Sequence, residues 1–507
     1  MPSAFDAAGA KLAASSICVF AVLALICVLY VLEVNARAEG VYSHEVDETP
    51  GLGDGENADV VEEVTIQDGE VKAVAVEGYP REEGEGEEEE EERRRRRRSE
   101  HAPLLERDVP VHRVAYRRFD FVASALLFGG RKMQVFVQGV MGLYVYGCLW
   151  SFVSVFASTA DTLFFKYVLT HEKGDCNIYH HPNSSCMLGY YIAVGIFGVF
   201  VVAVALRDVS EQKALQVAMT TYRFVAFAMI LGTSLVALWS RNTWDPVNST
   251  DHAPYVSKAL DPVKWSGFGT AFTFSAVALN VHYNMPNVIQ PIVAPKSNLV
   301  KVATAGILVA TACYLILGYV CGLVFGSGTI PLITLNWDKY TGHAGGWGEG
   351  DTLWWAYILK IGIMLFPMLD MLTVYPIICV TLGDNLFHSA PEALIQFAHD
   401  RFHLGKRGCQ LFFRILTAVP PLGLGMYTGN LSEIFTITGL FAFFLELIIP
   451  PLLWLQSYRY CVRKWGVAAA KTQYATVFSR EWIAWSVLTI GFAAFLFAVY
   501  VVAGGDV

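Results

Sequence analysis

A series of long apolar segments separated by polar loops constrains the fold of this chain more than any other feature. A helix rises about 1.5 Å per residue, so roughly 20 apolar residues cross the hydrocarbon core of a bilayer. Segments of this length lie at 14–32, 133–158, 188–207, 217–239, 267–292, 299–325, 353–382, 410–428, 431–455 and 481–503. Because backbone groups in lipid must be bonded internally, the pattern predicts an all-α polytopic membrane protein.

The loops carry unequal charge, and this inequality predicts which side of the membrane each loop faces. Lys and Arg are concentrated in alternate loops, which we assign to the cytoplasm because positive charge is retained there. Two glycosylation sequons, at Asn183 and Asn248, lie in the opposite set and predict an external or lumenal side there. Cys176 and Cys186 share one of these external loops, where they either form a disulfide bond or remain free thiols.

The longest loop, at 37–132, contains a run of Glu followed by a run of Arg. Such a composition cannot bury a core, so we expect a disordered linker; the alternative is that the Arg run contacts anionic lipid. Glu100, Leu104 and Leu105 resemble a dileucine sorting signal, which predicts a clathrin adaptor as a partner. The membrane of an endolysosome or another acidic organelle is therefore expected, with the plasma membrane as the alternative.

Two acidic residues interrupt apolar helices, where an unpaired charge costs about 2.5–3.5 kcal/mol. Asp370 lies mid-helix with Thr373 one turn on, and prolines on both sides leave backbone carbonyls unbonded. The carboxylate, the hydroxyl and the unbonded carbonyls could together hold a cation, and a buried Asp370 could also carry a proton. The alternative is a neutral Asp370 that hydrogen-bonds a neighbouring helix. Glu446 is either a proton-relay group or an interhelical hydrogen-bonding group.

The segment at 274–286 is unusual for a membrane helix. Asn280, His282 and Asn284 interrupt its apolar run. Pro286 lacks the N–H group that the helical hydrogen-bond ladder needs. Broken helices at membrane depth are tolerated where they face protein or a wet cavity, and in transporters they present free backbone groups to substrate. The segment therefore predicts a binding site, the alternative being a kinked helix with satisfied side chains.

Several stretches resemble motifs of one family of membrane transporters. They lie, in order, at 143–147, 274–286, 332–336, 366–382 and 438–439. Their order and spacing resemble the amino acid/auxin permease family, which is related to the solute carrier 38 transporters, and most closely its transmembrane protein 104 branch. The resemblance implies a LeuT-like inverted repeat of five plus five helices and one more, with substrate and ion bound where helices 1 and 6 are broken.

The resemblance also implies roles for individual residues. The sixth and third helices would contribute the side chains that face the substrate, Phe274, Ser275, Asn280, His282 and Tyr144. The eighth helix of the family supplies hydroxyl groups to a cation site, and Thr373 matches one of them. Asp370 departs from the hydroxyl residue expected at its position, which favours a proton over sodium as the coupling ion.

The first residues of the chain resemble the outer end of the family's first helix, so that Met1 matches an internal position. We therefore expect that the first half of helix 1 is missing and that the start is misplaced; the alternative is a genuine protein without that helix half, which would lack half of the pocket. The domain boundaries that follow are a remnant of helix 1 at 1–13, helix 2 at 14–36, the charged loop at 37–132 and helices 3 to 11 at 133–505.

Two functions are consistent with the sequence. The first is a secondary active transporter that moves a small neutral amino acid together with H⁺, or with Na⁺ as the alternative coupling ion. The second is a non-transporting amino acid sensor or membrane scaffold with a degenerate transporter fold. No nucleophile–base or metal-binding arrangement is recognisable, so neither an enzyme nor a cofactor is expected, and no nucleic acid partner is expected either.

Overall fold

The computed structural model covers most of the apolar part of the chain. The described residues are 2–47, 62–67, 70–75, 112, 114, 119–167, 184–206, 213–240, 263–289, 296–390, 405–429 and 431–502. Within these ranges, nine helices are long and apolar enough to cross a membrane. The prediction of an all-α polytopic membrane protein is therefore confirmed in outline.

Thirteen helices and one small hairpin make up the described ranges. In chain order the helices are α1 (Pro2–Ala8), α2 (Ala10–Asp47), α3 (Phe121–Tyr167), α4 (Ser184–Ala205), α5 (Lys213–Ser240), α6 (Phe268–Leu279), α7 (Met285–Ile289), α8 (Leu299–Phe325), α9 (Trp354–Ser389), α10 (Lys406–Tyr427), α11 (Leu431–Phe443), α12 (Ile449–Trp465) and α13 (Glu481–Val502). A π-turn at Phe444–Ile448 joins α11 to α12. Two strands, β1 (Glu62–Gln67) and β2 (Glu70–Ala75), pair antiparallel between α2 and α3.

Helix α2 is longer than the predicted helix at 14–36 and continues to Asp47. Arg37, which the sequence placed at the start of the cytoplasmic loop, lies inside this helix and is 1% exposed. Its guanidinium donates to Glu33 Oε2 at 2.8 Å and to the carbonyl oxygen of Ala470 at 3.1 Å. The helix ends later than predicted because these charged side chains are paired and covered by the connection between α12 and α13.

Helix α3 begins earlier than the predicted boundary at 133. Asp120 caps its first turn, where its Oδ1 accepts the N–H of Ala123 at 2.6 Å. Gly130 then adopts a φ of 73°, which interrupts the regular helix and separates a first helical part from the membrane-spanning part. The rest of the loop predicted to be disordered lies largely outside the described residues, apart from β1 and β2.

Eight of the helices form two groups that pack mainly among themselves. The first group contains α1, α2, α6 and α8, and the second contains α3, α4, α9 and α10. Helix α5 packs on α8 and α9, α11 packs on α3 and α6, and α12 packs on α2 and α3. The largest apolar core extends through both groups, so the helices that link them are part of one continuous packed interior.

The segment that the sequence predicted to be broken does not form a continuous helix. Helix α6 ends at Leu279, and a 3₁₀ turn at His282–Asn284 leads into α7. For this reason the predicted apolar segment at 267–292 is not among the nine long spans of the described ranges. The interruption is confirmed, and it positions the candidate site.

Candidate functional site

The candidate site is centred on the interruption between α6 and α7. Asn280 has φ −76° and ψ 88°, which lies outside the helical region, and the N–H of Val281 bonds to the carbonyl of Leu279 at 3.0 Å. Pro286 follows in the first turn of α7, where its missing N–H is tolerated. The backbone therefore leaves the helical hydrogen-bond ladder over these residues, and its polar groups become available to side chains or to a ligand.

Two polar side chains at the interruption are buried with unused hydrogen-bonding capacity. Both amide atoms of Asn280 are buried and have no partner among the described residues. His282 is fully buried, and its Nε2 lies 2.9 Å from the carbonyl oxygen of Ala24 on α2. Because a carbonyl only accepts, Nε2 carries the hydrogen and Nδ1 is an acceptor without a partner in the described part of the chain. Buried polar groups of this kind usually have a hydrogen-bond partner, so they are candidates to bind a ligand.

Helix α3 places aromatic and thiol groups beside the interruption. Tyr144 is 3% exposed, and its ring meets the ring of Tyr283 edge to face, with the centroids 5.6 Å apart. Cys148 lies one turn further along α3 and is partly buried close to Tyr144. The sequence had placed Tyr144 in the site by resemblance alone, and the structure brings it next to the interrupted helix.

Glu446 is the acidic group of this region. It lies in the π-turn between α11 and α12, is fully buried, and has no hydrogen-bond partner on either oxygen within the described ranges. It is close enough to Cys27 on α2 and Tyr144 on α3 to interact with them electrostatically. An unpaired carboxylate would cost several kcal/mol at this depth, so Glu446 is either protonated or accompanied by a cation. A π-turn often marks a functional position in a helix.

Two further residues predicted to face the substrate lie on the outer part of α6, at a distance from the interruption. Phe274 packs its ring against Phe435 of α11, with the centroids 5.3 Å apart. Ser275 is 1% exposed, and its hydroxyl donates to the carbonyl of Ala271 in its own helix at 2.7 Å. They precede Asn280 by five to six residues, about 7–9 Å along the helix. They therefore do not join Asn280 and His282 at the interruption.

Asp370 is not an isolated acid, because Arg223 of α5 holds its carboxylate. The Arg223 Nε lies 2.9 Å from Asp370 Oδ1, and Nη2 lies 2.7 Å from the same oxygen. Thr373 is buried next to it, but its hydroxyl donates to the backbone carbonyl of Asp370 at 2.9 Å. One carboxylate oxygen and the carbonyl of Asp370, and the hydroxyl of Thr373, are therefore engaged with groups of the protein itself.

Arg223 is the residue that the sequence interpretation missed. It lies within the apolar segment at 217–239, and a charged residue at such a position needs a partner. That requirement was a detectable signal, yet it does not identify Asp370, which is 147 positions away in the chain. The ion pair of Glu33 and Arg37 was missed for a different reason, because both residues were interpreted as the end of a helix and the start of a loop.

Other predicted sites concern the surface and lie mostly outside the described residues. Those outside are the sorting signal at Glu100, Leu104 and Leu105, the sequons at Asn183 and Asn248, and Cys176. Cys186 is disulfide-bonded, whereas the cysteines of the other described ranges form no disulfide bond. The pairing with Cys176 remains a prediction.

Comparison with known proteins identifies relatives of the chain. The family described as transmembrane amino acid transporter protein matches residues 111–503. The transmembrane protein 104 homolog of Drosophila melanogaster is 25% identical over 302 residues, which make up 58% of this chain and 53% of that protein. Transmembrane protein 104 of Homo sapiens is 23% identical over 313 residues, or 61% of this chain and 56% of that protein. The chain spans little more than half the length of these curated relatives.

Proposed function

Because the chain belongs to the transmembrane amino acid transporter family, we propose that it is a secondary active transporter of small neutral amino acids with a proton as the coupling ion. One observation carries this proposal. The interrupted helix brings Asn280 and His282, whose side chains carry buried hydrogen-bonding atoms with no partner among the described residues, next to Glu446, an acid that likewise has none there. A binding pocket for a small zwitterion and a proton needs such groups.

We propose a LeuT-like inverted repeat as the fold behind this activity. Its support is the division of the helices into two groups, with α6 and α7 as the interrupted element in the first group. Alternating access in such folds occurs by movement of one helix group against the other around a fixed central site. Helices α11 and α12 pack on members of both groups, so the π-turn between them is placed to respond to such a movement.

In this proposal the residues predicted to bind and to couple have different tasks. Asn280, His282 and Tyr144 bind the polar groups of the amino acid, while Phe274 and Ser275 line its approach. Glu446 carries the proton, since it is buried and unpaired. Asp370 and Thr373, also predicted to hold the coupling ion, contribute through the ion pair of Asp370 with Arg223.

The first experiment is amino acid uptake into liposomes that contain the purified chain, with an imposed pH gradient. We expect uptake of small neutral amino acids that rises with the inwardly directed proton gradient. Glu446→Gln removes the titrating group at nearly constant volume, so uptake should fall at least tenfold and lose its pH dependence. Asp370→Asn should lower the rate but keep the pH dependence, because the proposed proton carrier is intact.

Glu433→Gln is the matched control, because Glu433 lies on α11 in an exposed position. It should transport as the wild type does. Full pH-dependent uptake by Glu446→Gln would show that another group carries the proton. Saturable amino acid binding without uptake by the wild type would instead favour the amino acid sensor.

The surface predictions extend the proposal to the cell. We propose that Asn183 and Asn248 carry glycans on the lumenal side, and that Glu100, Leu104 and Leu105 direct the protein to endolysosomes through a clathrin adaptor. An acidic lumen would supply the proton gradient that the transporter requires. Replacing Leu104 and Leu105 by Ala should move the protein to the plasma membrane, which fluorescence microscopy of the tagged protein would detect; an unchanged distribution would contradict the sorting role.

A further inference from the structure

Both members of the ion pair of Arg223 and Asp370 lie within apolar spans. Arg223 lies six residues, about 9 Å along the helix, inside the span Val217–Ser240. The Arg223 side chain is 44% exposed and that of Asp370 is 10% exposed. A cation at this depth is retained only where a charged partner compensates it, and in this protein that partner is the carboxylate of α9.

The geometry of the pair is specific. The Nε of Arg223 donates to Oδ1 of Asp370 at 2.9 Å, and Nη2 lies 2.7 Å from the same oxygen, so a single oxygen receives one charge-assisted hydrogen bond and a second close ionic contact. The neighbouring Tyr222 donates its hydroxyl to the carbonyl of Gly362, which ties α5 to α9 a second time. The guanidinium is therefore held in place by the packing of the two helices.

The oxygens around Asp370 are those that would form a cation site. Hard cations are bound by several oxygen atoms supplied by carboxylates, carbonyls and hydroxyls. Asp370 supplies a carboxylate and a carbonyl, and Thr373 supplies a hydroxyl whose hydrogen is directed to that carbonyl. The positive charge at this group of oxygens already comes from Arg223, so a sodium ion would have to displace the guanidinium.

We propose that Arg223 is a tethered cation that fills the cation site of Asp370 and Thr373, so that this site binds no sodium ion in the wild-type protein. The inference concerns the occupancy of the site and does not rest on transport activity. The inference also predicts how variants of the two residues respond to cations. Loss of the arginine charge should convert the site into one that requires a free cation, and loss of both charges should remove the requirement.

Thermal unfolding of the purified full chain tests this inference without any transport assay. The melting temperature is measured in NaCl and in choline chloride at equal ionic strength. An ion that binds the folded state raises the melting temperature, so a difference between the two salts reports binding of sodium. The wild type should melt at the same temperature in both salts. Arg223→Gln should melt several degrees lower in choline chloride and recover part of the loss in NaCl.

The other variants separate charge compensation from packing. Asp370→Asn should melt lower than the wild type in both salts, because the arginine is then unpaired and no added cation can replace the lost anion. The double variant Arg223→Gln/Asp370→Asn should melt above either single variant and show no response to sodium. Arg459→Gln is the control, since it breaks an exposed ion pair with Glu481 and should show no selective response to sodium.

Two results would overturn the inference. One is a sodium-selective rise in the melting temperature of the wild type that is lost in Asp370→Asn, which would show that the site accepts sodium beside Arg223. The other is an Arg223→Gln protein that is folded but does not respond to sodium. If Arg223→Gln does not fold, the double variant decides: recovery of folding supports charge compensation, and failure to recover contradicts it.

Discussion

Glu33 and Arg37 form an ion pair in which each side chain is 1% exposed, and each uses its remaining polar atoms. Arg37 also donates to Ser457 of α12 at 3.2 Å and to the carbonyl of Ala470, while Glu33 accepts the hydroxyl of Ser479. The guanidinium stacks on Trp454, with its carbon 5.2 Å from the ring centroid. One pair thus fastens α2 to α12 and to the connection before α13.

Removal of one member of this pair should destabilise the protein strongly. Arg37→Met leaves Glu33 buried without a cation, which costs about 3–5 kcal/mol in free energy of unfolding for pairs of this kind. Glu33→Gln/Arg37→Met should regain most of this loss, because no charge is left unpaired. Tryptophan fluorescence during denaturation of the purified protein measures both effects. An Arg37→Met protein as stable as the wild type would show that the pair is dispensable.

Sequence reasoning reached some of these residues and not others, for physical reasons. Asp370, Glu446 and Asn280 stood out because a polar side chain in an apolar segment is locally visible. Their partners are set by tertiary packing, as the separation of 147 positions between Arg223 and Asp370 shows. No local pattern could indicate which acid is paired and which, like Glu446, has no hydrogen-bond partner among the described residues.

Helices α3 and α11 approach each other closely at one glycine, and this contact permits a second test. A Cβ atom at Gly147 would lie 2.2 Å from the Thr438 hydroxyl oxygen, whereas one at Gly139 of the same helix would meet nothing within 4 Å. We expect Gly147→Ala to lower the melting temperature, because overpacking typically costs 1–3 kcal/mol. Gly139→Ala should leave the melting temperature unchanged or raise it, since Ala favours helix formation over Gly by about 1 kcal/mol. Equal behaviour of the two variants would contradict this packing.

The interrupted helix was predictable from its sequence, and the π-turn was not. Asn280 and Pro286 each disfavour a continuous helix through local chemistry. The prolines at 450 and 451 lack the N–H groups that would bond the carbonyls of residues 446 and 447, inside the π-turn at Phe444–Ile448. They indicate an irregular helix there but do not specify its π geometry. The π geometry of this turn depends on how α11 and α12 pack on different neighbours, and local sequence does not show which helices are neighbours.

The two groups of helices meet around the candidate site, and each group contributes a helix that contacts it. Helix α2 of the first group and α3 of the second both contact the 3₁₀ turn and the π-turn. A shift of one group against the other would therefore change the surroundings of Glu446 and His282 together. The hydropathy pattern predicted the helices of both groups, but not this division, because it contains no information on which helices are neighbours.

The interruption between α6 and α7 also has a consequence for isotope labelling. Amide hydrogens in continuous membrane helices are protected, because exchange with solvent deuterium requires the helical ladder to open. Residues 280–284 lie between α6 and α7, so their amides are only partly bonded in the α-helical pattern. If the site is hydrated, a peptide covering these residues should take up deuterium well before peptides from the middle of α9, and mass spectrometry of the purified protein would measure the difference. A saturating amino acid should slow that uptake, so the same peptide would report which molecule enters the site.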